Sequence, residues 1–253
     1  MKITVITVCY NSVAYIADAL KSVDSQSWPD IEHLVIDGGS SDGTLETVSQ
    51  FEQLWRTVTS EPDAGIYDAM NKGICKATGD VIGFINSDDF FPTSQILATV
   101  AEVFKDATID ACYGDLCYVK QHDVRSIVRY WRSSPFKAGL FARGWCPPHP
   151  TLFVRRDVYA RLGTFDMRFP LAADMELMAR FFETHCIRTK YISQIMAHMR
   201  LGGTTNRSLR NIVQQNREIW FALQEHQLNP SLLSFICGKM ISRGRQLIAR
   251  PTG

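Results

Sequence analysis

One unit recurs through the first hundred residues and constrains the fold more than any other feature. A short β-branched run ends in a cluster of small polar residues, and an amphipathic segment follows. Ile3–Val8 closes on Cys9-Tyr10-Asn11 and gives way to Val13–Ser25, where Val13, Ile16, Ala17, Leu20 and Val23 fall at helical spacing. His33–Ile36 stops at Asp37-Gly38-Gly39 and precedes a helix over Thr44–Leu54, with Ser41 or Asp42 as candidate caps. Thr57–Ser60 leads into a helix over Ile66–Ala77, and Val81–Ile85 stops at Asn86-Ser87-Asp88-Asp89 before a helix over Ser94–Phe104. This alternation predicts an α/β fold with a mostly parallel central sheet and helices on both faces. Right-handed crossovers then place the strand C-termini along one edge, where ligands bind in such sheets. The polar clusters at 10–11, 37–40 and 86–89 should therefore meet in one cleft.

The second half is more mixed. Ala111–Val119 and Arg125–Trp131 read as strands, and Gly144–Pro150 as a rigid loop. A strand over Thr151–Val154 runs into a helix ending at Leu162, and Ala172–Glu183 has the pattern of a strong helix. Ile187–Ile192 and Ile195–Met199 close the sheet region, and the chain is helical from Leu209 onward. We divide it into 1–205, an α/β domain with a regular half (1–110) and a more mixed half (111–205), and 206–253, a helical, basic extension.

A length of 253 residues suits one large domain plus such an extension. The net charge of +1 argues for no nucleic-acid partner, but it is unevenly spread: Thr205–Gly253 carries +5 and the remainder −4. Seven cysteines, an odd number without a C-x-x-C pair, argue against a disulfide framework or a zinc site and for reduced thiols in the cytosol. The N-terminus does not read as a signal peptide, and no stretch has the roughly 18 apolar residues of a spanning helix. A cytoplasmic protein is expected, with contact to the cytoplasmic face of the inner membrane as an option.

Two motifs carry chemistry. Asn86-Ser87-Asp88-Asp89 follows an apolar strand, so its carboxylates point into the cleft, where they suit Mg²⁺ or Mn²⁺ bridging a diphosphate. A turn or helix cap before Pro92 would use the same residues. Asp37-Gly38-Gly39-Ser40 allows close approach of a ligand to the backbone, and the Asp can accept from a base N–H; a plain strand-to-helix turn also wants Gly, Ser and Asp.

Taken in order, Ile3–Asn11, the Asp37 turn, the segment Glu61–Gly73, Thr78-Gly79-Asp80 and Phe84–Asp89 resemble the family 2 glycosyltransferases of the GT-A fold. The likeness is greatest to enzymes of colanic acid and O-antigen assembly and spans residues 1–205, the 60–73 segment being the most specific. It implies an inverting hexosyl- or N-acetylhexosaminyl-transferase that uses a nucleotide-diphosphate sugar, UDP-linked by preference, and a lipid-linked glycan acceptor. On this resemblance Tyr10 and Asp37 contact the nucleobase and ribose, with Gly38 beside them. Asp63 and Asp68 lie on the donor side, and Ser87 lies near the ribose and sugar. Asp88 matches the last, metal-binding Asp of the family's Asp-x-Asp motif. Two positions depart from the family's pattern. Asn86 replaces the first Asp of that motif, and Met70 stands where an Arg is common, leaving Lys72 or Arg200 as substitutes.

In relatives the acid at the start of the Ala172–Glu183 helix deprotonates the acceptor hydroxyl, and that position is Asp174; a sugar hydroxyl needs such a base to attack. A helix-dipole partner is the alternative role. Glu176 faces away and is expected to be structural. His149, between prolines, either lines the acceptor site or satisfies loop carbonyls. His198 and Arg200 precede a Gly-Gly loop that could close over the donor phosphates, making His198 a further metal or diphosphate candidate; a plain connector is the alternative. Leu232–Arg250 reads as a basic amphipathic helix for a membrane interface or, alternatively, as a helix packed on the catalytic domain or on a second copy. A non-catalytic nucleotide-sugar-binding relative remains as an alternative function. A sugar-1-phosphate nucleotidyltransferase ranks lower, because the first strand has no Gly-rich phosphate loop after it.

Overall fold

The computed structural model describes residues 1–202 and 209–248. The strands are β1 (Ile3–Cys9), β2 (Ile31–Asp37), β3 (Arg56–Ser60), β4 (Val81–Phe84), β5 (Ala111–Val119), β6 (Ile127–Trp131), β7 (Phe153–Arg155) and β8 (Thr189–Arg200). The helices are α1 (Ile16–Asp24), α2 (Thr44–Ser49), α3 (Ile66–Lys76), α4 (Ile96–Val103), α5 (Arg156–Leu162), α6 (Ala173–Ala179), α7 (Leu209–Glu225) and α8 (Leu232–Ile248). All eight strands form one sheet in the order β3-β2-β1-β4-β7-β5-β6, with β8 on the other side of β5.

The first four strands are parallel, as their βα alternation requires, and β1 is buried along its whole length because helices cover both faces. β7 enters antiparallel between β4 and β5, and β8 then runs parallel to β5. The two segments expected over 187–199 are one long strand, interrupted by register shifts opposite Asp115. Helix α2 ends at Ser49, short of the expected Leu54. Beyond Ala179 the α6 helix widens into a π turn over Arg180–Thr184, covering the span expected to be one helix.

Besides a small cluster around Cys9, Leu20 and Val48, two large cores flank the sheet. One packs α3, α5 and α6 against it around Met70, Phe84, Tyr113, Phe181 and Phe182, and the other packs α1 and α4 around Val23, Leu97 and Phe153. Burying an aromatic side chain of this kind contributes about 2–3 kcal/mol. Met70 is 2% exposed, so the position that departs from the expected pattern is an apolar core position here. Helix α8 lies back on the α/β body, against β6 and the turn at Phe141–Arg143. All seven cysteines are free thiols. Among the described residues no helix is long and apolar enough to cross a membrane.

Candidate active site

The polar clusters after β1, β2 and β4 meet as expected, and hydrogen bonds lace them together. Asn11, in the left-handed region at φ 47°, bonds to the 37–41 turn: its N–H donates to Ser40 Oγ (2.8 Å), and its Oδ1 accepts from Ser41 N (3.0 Å). Ser12 N donates to Thr44 Oγ1 (2.8 Å), and Ser87 Oγ to Ser12 Oγ (2.8 Å), tying the loop after β4 to the loop after β1. The Tyr10 ring is left 64% exposed at this edge, available for stacking.

Asp37 is fully buried. Its carboxylate accepts from Gly39 N (3.0 Å), Ser40 N (2.9 Å), Ser40 Oγ and Ser60 Oγ (2.7 Å). Burial works to raise its pKa, but the hydrogen bonds from Ser40, Ser60 and Gly39 outweigh it and hold the carboxyl below the usual range. With both oxygens engaged, the Asp37 carboxylate holds the 37–40 turn in shape. That turn needs Gly38: a Cβ there would stand 2.4 Å from Asp63 Oδ2 and 3.4 Å from Tyr10 Cδ2. Gly38 thus lets the Asp63 carboxylate sit against the turn beside Tyr10, while Asp63 Oδ1 accepts from Gly65 N (2.8 Å). Asp68 Oδ2 accepts from Ala64 N (3.0 Å) and pairs with Lys72 (3.5 Å), which also binds Glu61 (3.2 Å) and the Pro62 carbonyl (2.7 Å). Asp68 and Lys72 therefore brace the start of α3.

After β4, Asn86 Nδ2 donates to Asp89 Oδ2 (3.1 Å), while Asn86 Oδ1 and Asp89 Oδ1 are buried without a partner. Burial, then the charge of Asp88, pushes the Asp89 carboxyl well above its ordinary range. Orphaned oxygens beside Asp88 fit a hard divalent cation. Among the described residues no three His, Cys, Asp or Glu side chains form a complete metal site. The protein thus offers part of a shell, the pattern for Mg²⁺-type ions that share substrate phosphates. His198 pairs through its backbone with Phe90 (2.9 and 3.0 Å) and sets its ring edge-on to the Phe90 ring, 5.2 Å between centroids. Burial lowers its pKa, favouring a neutral imidazole. Arg200 is clamped in place: it donates to the Asp88 carbonyl (2.8 Å), pairs with Asp18, and stacks over Tyr15 and Phe90. The Gly-Gly loop beyond Gly202 lies outside the described residues.

Across the cleft, Asp174 stands in the first turn of α6 and accepts from the Tyr67 hydroxyl (2.9 Å). Burial, then the Asp174 charge, raises Tyr67 well above the ordinary phenol value, so it stays a donor. Asp174 borders a cavity of about 250 Å³ that is also lined by Arg129, His149, Arg200, Lys239 and Arg243. His149 is 7% exposed, wedged between the rings of Phe84 and Phe165, and its Nε2 has no partner; burial lowers its pKa and keeps it neutral. Glu176 is buried and accepts from Arg180 (2.9 Å) and His226 (2.8 Å), the structural role expected for it.

Three features escaped the sequence reading. Tyr67 lies in the most specific segment, but its contact with Asp174 spans 107 residues. The Arg200–Asp88 clamp is equally long-range. Two basic residues of α8, Lys239 and Arg243, do not join its exposed apolar stripe, as a membrane-lying helix would have them: with Ser242 and Gln246 they line the cavity. Their i, i+4, i+7 spacing was the available signal.

The comparisons with known proteins agree with this fold. The family described as glycosyl transferase family 2 matches residues 4–159. An uncharacterised glycosyltransferase of Mycobacterium tuberculosis is 33% identical over 180 residues, 70% of this chain and 68% of its own. A PGL/p-HBAD biosynthesis glycosyltransferase of Mycobacterium bovis is 30% identical over 211 residues, 78% and 76% of the two chains. Among solved structures, S. aureus TarS 1-349 in complex with UDP-GlcNAc superposes with TM-score 0.67 at 20% identity, over 92% of this chain and 68% of that one. The mannosyltransferase PcManGT of Pyrobaculum calidifontis, in complex with GDP-Man and Mn²⁺, gives 0.62 at 17% identity, over 96% and 80%. The sheet order, the laced loops at its edge and the matched sequence lead to one conclusion: this chain is a GT-A-fold member of glycosyltransferase family 2.

Proposed function

We propose that the protein is an inverting glycosyltransferase that moves a hexosyl or N-acetylhexosaminyl group from a UDP-linked sugar to a hydroxyl of a lipid-linked glycan in surface-polysaccharide assembly. The observation that carries this reading is Asp174, held by Tyr67 on the wall of a cavity that is also lined by Arg200, which bonds the Asp88 carbonyl of the 86–89 loop. In the reaction the acceptor oxygen attacks the anomeric carbon, Asp174 takes its proton, and the nucleoside diphosphate leaves from the opposite face. His149, neutral and with an unpartnered Nε2, orients the acceptor by hydrogen bonding.

On the donor side Tyr10 stacks on the base. Asp63 and the turn held by Asp37 receive the nucleoside, and Ser87 lies towards the ribose. Mn²⁺ or Mg²⁺ held by Asp88 and Asn86 Oδ1, with His198 as a further candidate, would offset the charge of the leaving diphosphate. UDP is favoured because TarS was solved with UDP-GlcNAc, while the GDP-Man complex of PcManGT keeps GDP as the competing donor. The exposed Leu232, Leu233, Ile236, Met240 and Ile241 support peripheral contact with the cytoplasmic face of the inner membrane, where a lipid-linked acceptor resides.

The test is calorimetric titration of UDP- and GDP-sugars with and without Mn²⁺ on wild type and Asp88→Ala, together with donor turnover by wild type and Asp174→Asn. Metal-dependent binding of one nucleotide class, lost in Asp88→Ala, and turnover lost in Asp174→Asn are expected. Equal turnover by the two proteins removes Asp174 as the base, and absence of any nucleotide binding by folded protein favours the non-catalytic alternative.

A further inference from the structure

The cavity behind Asp174 has an unusual charge balance. Its walls carry four cations, Arg129, Arg200, Lys239 and Arg243, against the single carboxylate of Asp174. Arg200 is committed to Asp18 and the Asp88 carbonyl. Among the described residues the other three have no carboxylate within ion-pair distance. Arg129 Nε donates to the Gln246 side-chain oxygen, and Lys239 Nζ to Asn216 Oδ1 (2.7 Å); both acceptors are neutral amides.

Gathering these charges is unfavourable in the free protein. Burial, reinforced by the positive Arg243, pulls down the pKa of Lys239 to about 8 and also lowers that of Arg129. The arrangement is nonetheless held firmly. Arg129 stacks on Tyr118 (4.5 Å) and Trp131 (5.9 Å), and α8 is drawn onto the 143–144 turn by two glycines. A Cβ on Gly238 would lie 1.9 Å from the Arg143 carbonyl oxygen, and one on Gly144 2.8 Å from Lys239 Cγ. Cations concentrated at an energetic disadvantage by a rigid frame are the signature of an anion-binding subsite.

We propose that Arg129, Lys239 and Arg243 bind a phosphate or diphosphate carried by the acceptor, so that the substrate class is a phosphorylated glycan or glycolipid. This rests on reading the Asp174 cavity as the acceptor site. Three cations match the two or three charges of a phosphate or diphosphate, whereas a lone carboxylate would leave two of them uncompensated. The donor diphosphate is the wrong candidate, because none of Tyr10, Gly38, Asp63 and Asp88 lines this cavity. Arg200 stands between the two regions, reaching Asp88 from the cavity wall.

The experiment is calorimetric titration of inorganic pyrophosphate in metal-free buffer containing EDTA. It uses the full chain as wild type, Asp88→Ala, Arg243→Gln, Arg243→Glu and Lys239→Gln. Arg243 is exposed, so its replacement spares the packing. Pyrophosphate should bind wild type and Asp88→Ala alike, and bind Arg243→Gln and Lys239→Gln about tenfold more weakly, with a larger loss in Arg243→Glu. Unchanged affinity in Arg243→Glu, loss confined to Asp88→Ala, or equally tight binding of acetate overturns the proposal. Farnesyl diphosphate outcompeting glucose 6-phosphate supports it with a lipid link as the source; the reverse order supports it with a phosphate on the glycan. Failure of the base assignment stays separate: Asp174→Asn with wild-type turnover removes the base and leaves the pyrophosphate result standing.

Discussion

The Tyr67 hydroxyl donates a 2.9 Å hydrogen bond to Asp174 Oδ1, joining the first turn of α3 to the first turn of α6 across the cleft. Tyr67 packs on Phe165, and the raised phenol pKa, caused by burial and by the Asp174 charge, keeps it a donor over the working pH range. It is a positioning residue for Asp174. Tyr67→Phe keeps the ring packing and removes one hydrogen bond to a charged group, worth about 2 kcal/mol. The expected result is a kcat lower by roughly thirtyfold with donor KM unchanged. A fall in donor affinity instead, or no change in kcat, removes this role.

Glu176 anchors the helix that presents Asp174. It is 3% exposed and bonded to Arg180 and His226, which link α6 to the end of α7. Burial works to raise its pKa, but the His226 and Arg180 hydrogen bonds prevail and depress it below the ordinary 4.5. A depressed carboxylate contributes stability that is fully present above its unfolded pKa and is lost as pH falls through the folded value. Thermal stability should therefore drop as pH descends from about 4.5 through the acid range. Glu176→Gln at pH 7 should cost about 3 kcal/mol, roughly 10 °C in Tm, and flatten that acid dependence. A melting curve with the wild-type pH profile would falsify the assignment.

Much of the first half was legible because its signals are local. Each strand ends in its own polar cluster, and parallel βα topology forces those clusters to one edge, so Tyr10, Gly38 and Ser87 could be placed together from spacing alone. Asp37 shows the limit of that reading: the sequence shows a carboxylate at the edge but not that Ser40 and Ser60 enclose it. The second half depends on contacts between distant segments. Tyr67 with Asp174, Arg200 with Asp88 and Gln246 with Arg129 are separated by 107, 112 and 117 residues, and no periodicity encodes such pairs. On α8 the basic and apolar residues were both read, but which face met the protein depended on Gly238 and Gly144, whose role is visible only once the Arg143 turn lies against the helix.

Lys239 gives the anion subsite a pH dependence. It is faced by Arg243 from its own helix, Cys146 from the 144–150 loop, Asp174 from α6 and Asn216 from α7. Burial, then Arg243, lowers its pKa to about 8, so it loses its proton as pH rises through that value in the free protein. The ratio of pyrophosphate affinities, wild type over Lys239→Gln, should be constant below pH 7 and fall as pH rises through about 8, because pyrophosphate's own titration cancels in the ratio. Calorimetric titrations at a series of pH values check this, and an equal fall in wild type and Lys239→Gln excludes Lys239 as the titrating group.

Gly238 offers a prediction whose sign separates a docked α8 from a free one. In an isolated or solvent-facing helix, Gly→Ala is stabilising by about 1 kcal/mol, because glycine is a poor helix former. Here a Cβ would meet the Arg143 carbonyl oxygen at 1.9 Å, a backbone atom that cannot rotate aside, so α8 must lift from the 143–144 turn. Lifting it withdraws Lys239 and Arg243 from the cavity wall and uncovers Phe235, which is 3% exposed. Gly238→Ala should therefore lower Tm, expose the apolar underside of α8 to a fluorescent hydrophobic dye and weaken pyrophosphate binding, while UDP binding at the strand edge persists. Gly244, whose Cβ would meet nothing within 4 Å, is the internal control: Gly244→Ala should raise Tm through helix propensity alone. If both alanine variants stabilise the protein, α8 is not clamped against the turn and the cavity loses its basic wall.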